Sequence, residues 1–185
     1  NLVIPRIVSI FFWLLGGIGI FLLARDMTSS DGAILALAVY LLVPFSVIVS
    51  RTIQPDPLMT CLIIFTWWFM YRWLEKRTWK WAVLAGSIGG LAVLTKALAA
   101  FSILSSFLAI VIILGLRKTI RNAQFWVMGV IVVVPTLIYM VIGFFVKGDL
   151  GSQFSLRFFP ENWIDPVFYL QWERMIEKVV GLLPF

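Results

Sequence analysis

The chain has 185 residues, of which 62% are hydrophobic and 13% charged, and its mean hydropathy is +1.02. These values exclude a soluble globular domain and indicate an integral membrane protein. The formal net charge of +6 does not indicate nucleic-acid binding, because no soluble basic domain interrupts the apolar sequence. The chain has no histidine, and its one cysteine, Cys61, lies in an apolar run. The sequence therefore offers no internal disulfide and no complete metal site.

Six uncharged apolar stretches follow one another along the chain. A bilayer core about 30 Å thick needs roughly 20 apolar residues in a helix, and four of the stretches are long enough. The third and fourth are shorter, but flanking amphipathic residues extend them to the membrane interface. The apolar residues cover all faces, which favours helices over a barrel. The sequence thus predicts an all-α polytopic membrane helix bundle with about six transmembrane helices, at 7–24, 32–50, 57–71, 81–95, 97–116 and 122–146.

Two patterns within these stretches predict packing rather than chemistry. Ala82, Gly86 and Gly90 recur every four residues, which is typical of a helix that a neighbouring helix approaches closely. Seven aromatic residues surround the junction of the third and fourth stretches, and they predict a belt at the cytoplasmic membrane interface, with contact to an isoprenoid chain as the alternative. These residues are Trp67, Trp68, Phe69, Tyr71, Trp73, Trp79 and Trp81.

The basic residues predict the orientation, since Lys and Arg accumulate in the short cytoplasmic loops. One side of the predicted bundle holds eight of them in its short loops and the other side holds three. This pattern places the segment 51–57, the turn at residue 96 and the C-terminal tail outside the cytoplasm. The eight are Arg25, Arg72, Lys76, Arg77, Lys80, Arg117, Lys118 and Arg121, and the three are Arg6, Arg51 and Lys96.

The C-terminal segment differs in character from the rest. We expect residues 1–146 to form the transmembrane bundle and residues 147–185 to form an outer, periplasmic loop rich in Gly and Pro turn signals. Apolar and charged residues alternate over 166–183, which predicts an amphipathic helix on the outer membrane surface or the approach to another span. The chain begins without Met and ends in an apolar run, so we expect it to be part of a longer protein.

The break between the second and third spans carries both an acid and a base. An ionisable residue at membrane depth costs roughly 2.5–3.5 kcal/mol, which makes it a candidate functional residue. Asp56 lies between two prolines, which predicts a helix N-cap. Its carboxylate is either a cap alone or a rigid ligand for a substrate hydroxyl, a metal ion or a cation. Arg51 is expected either to bind a phosphate bidentately or to snorkel to the membrane interface. Gln54 is expected either to add an amide donor to the same ligand or to be a loop residue without such a role.

Lys96 is the one charged residue between Lys80 and Arg117. If the fourth and fifth spans both end there, it marks a hairpin on the same outer face as Asp56 and Arg51. A lone ammonium in so long an apolar segment points to a phosphate partner, with a snorkelling turn lysine as the alternative.

Several short motifs in order resemble the bacterial polytopic glycosyltransferases of the C superfamily, in particular the protein-mannosyltransferase-like and aminoarabinose-transferase-like family 39. They lie at 3–9, 24–26, 44–57 and 90–96. The resemblance implies transfer of a sugar from a polyprenyl-phosphate carrier to a protein, lipid or glycan acceptor, at the periplasmic face of the bacterial inner membrane.

The resemblance also implies roles for individual residues. Asp56 corresponds to a supporting carboxylate, and Arg51 and Lys96 are candidates for binding the carrier phosphate, beside Gln54. The family's principal catalytic carboxylate is expected in a first outer loop upstream of Asn1. Some relatives bind a divalent cation near their principal and supporting carboxylates, and Asp56 could contribute one ligand to such a cation.

A transporter or flippase is the alternative from another functional class. Its ionisable residues would line a translocation path near the bilayer midplane. Because Asp56 and Lys96 lie at the ends of predicted spans, their placement favours the enzyme. A scaffold without chemistry leaves Lys96 unexplained.

Overall fold

The structure, a computed structural model, describes residues 3–43, 46–47, 50, 54–146, 148 and 164–180. Over these residues the backbone forms helices and no strand, which confirms the predicted all-α class. Contacts divide the chain into two compact units, Asn1–Leu137 and Ile138–Phe185. Arg51, one of the predicted site residues, lies outside the described residues.

Each of the six predicted spans contains a described helix. Val3–Met27 and Ala123–Val146 are long and apolar enough to cross a membrane, whereas Ser30–Leu42, Trp79–Thr95 and Ala99–Leu114 are shorter apolar helices. In chain order the helices are α1 (Val3–Met27), α2 (Ser30–Leu42), α3 (Asp56–Lys76), α4 (Trp79–Thr95), α5 (Ala99–Leu114), α6 (Leu116–Ile120), α7 (Ala123–Val141) and α8 (Pro166–Val180), with a π-helical turn at Ile142–Val146.

Helix α3 is central to the first unit, because it contacts α1, α4 and α5. The seam with α1 is closed by glycines that leave room for the facing helix. A Cβ atom on Gly16 would lie 3.4 Å from the Cα of Cys61, and one on Gly19 would lie 2.8 Å from Ile64 Cγ2. Cys61 is 2% exposed, as expected of a small apolar residue in this seam.

The small-residue stripe of α4 packs closely against α7. A Cβ on Gly86 would lie 3.0 Å from the carbonyl oxygen of Met128, and one on Gly90 would lie 3.0 Å from that of Ile131. Ala82 is fully buried. The predicted close approach is thus confirmed, and α7 is the neighbouring helix.

Pro135 lies inside α7 and changes the chemistry of this seam. Proline has no N–H group, so the carbonyl of Ile131, four residues earlier, lacks its usual helical partner. The same carbonyl faces Gly90 at close range. Glycine at position 90 therefore makes room for this carbonyl, because a Cβ atom there would press against its oxygen.

Trp73 contradicts the predicted interfacial belt. Its side chain is fully buried, and its Nε1 donates to Gln124 Oε1 at 2.8 Å. The prediction was wrong for this residue because the indole N–H finds an acceptor inside the protein, so the ring packs among the helices and not against lipid. Trp68, Phe69 and Trp81 form a partly buried ring cluster, with centroids 5.1 to 6.0 Å apart.

In the second unit, α8 covers most of the segment predicted as an amphipathic helix. The backbone N–H of Val167 donates to the Asp165 side chain at 2.9 Å, so Asp165 satisfies one of the unpaired donors of the first turn. Leu170 and Trp172 are exposed apolar residues on this helix, beside exposed Glu173. The attachment of α8 to a membrane surface remains a prediction.

Candidate functional site

The site begins at Asp56, the first residue of α3. The N-cap is Pro55, with φ −71° and ψ 0°, and it forms no side-chain cap. The prediction that Asp56 is the N-cap was therefore wrong by one residue. Pro57 fits the second helical position because the first N–H groups of a helix need no internal partner. The Asp56 carboxylate is used for a contact between helices instead.

Lys96 supplies that contact from the turn between α4 and α5. Its backbone is extended (φ −158°, ψ 126°), and its carbonyl accepts from the N–H of Ala99 at 2.9 Å. Its Nζ donates to Asp56 Oδ1 at 2.5 Å, and the side chains of Lys96 and Asp56 are 38% and 22% exposed. The structure thus brings together two of the four predicted site residues.

The Asp56–Lys96 pair retains binding capacity. An ammonium group has three donors, and the bond to Asp56 uses one of them. The remaining donors form no hydrogen bond to the described residues, and they can bind an anion at this partly exposed position. The carboxylate limits the motion of a flexible side chain, because a charge-assisted hydrogen bond is stronger than a neutral one.

The other two predicted residues lie on the segment that precedes α3. Gln54 is exposed, two residues before Asp56, whereas the structure does not describe Arg51. Over the described part of the chain, no group of three or more His, Cys, Asp or Glu side chains could hold a metal ion.

An apolar groove of about 440 Å³ lies between α4, α5 and α7. Its lining includes Val93, three residues before Lys96, and Ala100, four residues after it. One helical turn rises about 5.4 Å, so one end of the groove lies close to the turn that carries Lys96. The hydroxyl of Thr136 is buried in this lining and has no hydrogen-bond partner in the described part of the chain.

A second polar cluster, which the sequence did not reveal, lies at the opposite end of α3. Asp26 Oδ2 accepts from Trp68 Nε1 at 2.9 Å and from Arg72 Nη1 at 3.2 Å. The Asp26 side chain is 12% exposed. The available signal was the position of both charges at the same predicted end of two apolar spans.

The fold and the site together define a helical membrane protein with a partly exposed ion pair and an apolar groove near one end of the bundle. The chain belongs to the dolichyl-phosphate-mannose-protein mannosyltransferase family, whose model matches residues 2–141. It is therefore a membrane glycosyltransferase of the C superfamily. No curated protein and no solved structure matches it significantly. The matched region contains Asp56, Lys96 and the groove.

The family assignment also bears on the alternative from transport. The members are glycosyltransferases, so a transporter or flippase finds no support in the comparison. The assigned region contains in full six of the described helices longer than ten residues, which are α1 to α5 and α7.

Proposed function

We propose that this protein transfers a sugar from a polyprenyl-phosphate donor to a protein, lipid or glycan acceptor, at the non-cytoplasmic face of the membrane. In a bacterium this is the periplasmic face of the inner membrane. The observation that carries the proposal is the ion pair between Asp56 and Lys96, in a chain that belongs to this glycosyltransferase family.

The proposed reaction needs a cationic group beside the leaving phosphate. As the bond between the anomeric carbon and the phosphate oxygen breaks, that oxygen gains negative charge, and a preorganised cation stabilises the transition state. Lys96 supplies this cation, assisted by Arg51 and by the amide of Gln54. The acceptor loses its proton to a carboxylate that acts as general base.

Asp56 acts as a positioning residue in this proposal. Its carboxylate holds the Lys96 ammonium at the start of α3, so the ammonium need not be ordered when the donor binds. Preorganisation of this kind makes a charged group more effective in the transition state. The principal base is a separate carboxylate of the enzyme.

The apolar groove suits the isoprenoid chain of the donor. Its lining is almost wholly hydrocarbon, and it runs between helices within about one turn of Lys96. A donor with its chain in the groove can present its phosphate to the ammonium. The groove therefore supports a lipid-linked donor over a water-soluble nucleotide sugar.

The proposal is tested by substitution of the pair in the intact protein, with polyprenyl-phosphate mannose as donor and radiolabelled mannose transfer as the measurement. We expect Lys96→Ala to lower kcat about 100-fold, the magnitude typical for loss of one preorganised donor. Lys96→Arg should retain part of the activity, because it keeps the charge. Asp56→Asn should lower kcat about 10-fold, since it frees the ammonium without removing it.

Lys80→Ala is the matched control, because Lys80 is an exposed cation on α4 near its opposite end. It should transfer mannose at the normal rate. The amount of each variant in the membrane and its melting temperature are first compared with those of the unmodified protein. Normal transfer by both Lys96→Ala and Asp56→Asn would remove the proposed site.

A further inference from the structure

A basic pocket of about 460 Å³ lies at the end of α3 opposite Asp56. It is formed where α3 meets α4, against the connection between α6 and α7. Helix α3 has 21 residues, so the pocket lies about 30 Å along the helix from the Asp56–Lys96 pair. The pocket is thus separate from the proposed transfer site. Its cations are Arg77, Lys118 and Arg121.

Arg77 is held in an unusual backbone conformation. Its φ of 49° and ψ of 39° are left-handed, a region that non-glycine residues adopt rarely. Its guanidinium lies 4.8 Å from the centroid of the buried Trp73 ring, and its Nε donates to the carbonyl of Leu74 at 3.1 Å. The ring and the carbonyl fix the orientation of the guanidinium, whose terminal nitrogens form no hydrogen bond to the described residues.

The amide oxygens of the pocket already have hydrogen-bond donors. Asn122 Oδ1 accepts from the backbone N–H of Gln124 at 2.9 Å, and Gln124 Oε1 accepts from Trp73. No carboxylate lines the pocket, and across the described residues none forms an ion pair with its three cations. The arrangement concentrates positive charge without a counter-ion. Its chemical complement is a phosphate group, which an arginine binds bidentately.

The surroundings of the pocket select a lipid phosphate over a soluble one. Trp79, which lines the pocket, is 52% exposed, and two apolar residues that flank its cations in the chain, Leu116 and Ile120, are 63% and 51% exposed. In a membrane protein such side chains lie against lipid, with Trp favoured at headgroup depth. A phospholipid can satisfy both the basic pocket and the apolar surface beside it.

We propose that this pocket binds the headgroup phosphate of an anionic phospholipid of the bilayer. Basic pockets between helices at a membrane interface have this chemistry. Arg77 clamps the phosphate, and Lys118 and Arg121 add the charge that favours an anionic lipid over a zwitterionic one. The inference does not depend on the sugar-transfer proposal, because no residue of the Asp56–Lys96 site takes part.

The test measures lipid retention by the full chain in detergent. Phosphatidylglycerol or phosphatidylcholine is added in equal amounts, and bound lipid is counted by native mass spectrometry. We expect the protein to bind phosphatidylglycerol at least 10-fold more tightly than phosphatidylcholine. Lys118→Gln combined with Arg121→Gln should reduce this preference about 10-fold. The charge-preserving pair Lys118→Arg and Arg121→Lys should keep it, which separates loss of binding from loss of folding.

Lys76→Gln combined with Arg117→Gln is the matched control, because both residues are exposed cations near the pocket that do not line it. The control removes the same net charge and should keep the preference within twofold. An equal loss in the control would overturn the proposal, since net charge and not the pocket would explain it. Competition by millimolar inorganic phosphate would also overturn it, in favour of a soluble anion. Retained preference in the Lys118 and Arg121 double variant would do the same.

Discussion

The Asp26 carboxylate links α1 to α3 through a hydrogen bond and an ion pair. Its carboxylate accepts from Trp68 and Arg72, and the side chains of Asp26 and Arg72 are 12% and 23% exposed. We expect Asp26→Asn to lower the free energy of unfolding by about 1–3 kcal/mol, because it removes the closer of the two carboxylates that pair with the partly buried Arg72 guanidinium. Thermal unfolding in detergent is the measurement.

The double variant Asp26→Leu with Arg72→Leu provides the control for this prediction. Replacing both partners by apolar residues removes the Arg72 guanidinium together with its closer carboxylate, so it should recover part of the loss. Additive losses in the double variant would contradict a direct interaction.

At the scale of single residues, the sequence predicted some contacts and missed others for one physical reason. Lys96 and Asp56 were expected on one face because both lie at span ends of the same polarity, and the structure places them in contact. The same logic applies to Asp26 and Arg72 but was not decisive, since Arg72 also fitted the basic loop pattern. The sequence placed the N-cap at Asp56 and not at Pro55, because prolines on both sides of Asp56 are compatible with either assignment.

At the scale of helices, the close contact between α4 and α7 predicts different effects on stability for alanine substitutions at two glycines. Gly90→Ala places a Cβ 3.0 Å from the Ile131 carbonyl oxygen and 3.4 Å from Val132 Cα. These are backbone atoms that cannot rotate away, so we expect a loss of about 1–3 kcal/mol in the free energy of unfolding. The melting temperature in detergent measures it.

Gly129→Ala is the matched substitution on the facing helix. The nearest side-chain atom to its new Cβ would be 3.8 Å away, an ordinary contact. Because alanine favours a helix over glycine by roughly 0.5–1 kcal/mol, this variant should be as stable as the parent or more so. Equal melting temperatures for the Gly90 and Gly129 variants would show that the close approach is absent.

The sequence predicted the helices better than their partners. Apolar length located a described helix in each of the six predicted spans, although two of these helices are long and apolar enough to cross a membrane and the second span is described as a continuous helix only over Ser30–Leu42. The stripe of Ala82, Gly86 and Gly90 predicted a close neighbour but could not name α7, because small residues make room without specifying what fills it. Trp73 was misplaced for a similar reason, since its hydrogen bond to Gln124 depends on a helix 51 residues away in the chain.

At the scale of the whole molecule, the predicted orientation is tested by cysteine labelling. Cys61 is 2% exposed, so the unmodified protein should react poorly with a membrane-impermeant maleimide. Gln54 and Thr78 are exposed positions just beyond the two ends of α3. We expect Gln54→Cys to be labelled on intact cells and Thr78→Cys only after the membrane is permeabilised, because basic loops remain in the cytoplasm.

The reverse labelling pattern would show that the protein has the opposite orientation, with the Asp56–Lys96 pair on the cytoplasmic side. Composition established the membrane class and the loops predicted an orientation, whereas the family match supplied the chemistry. Sugar and acceptor depend on side chains that composition and periodicity do not distinguish.

The Asp56–Lys96 pair also has a consequence for how the protein is made. Its two members are 40 residues apart, so at about 5–20 residues per second the ribosome adds Lys96 roughly 2–8 s after Asp56. During that interval the first turn of α3 carries a carboxylate without its cation. This end of the bundle is therefore completed late, because the contact between α3 and the turn after α4 forms only once that turn has been synthesised.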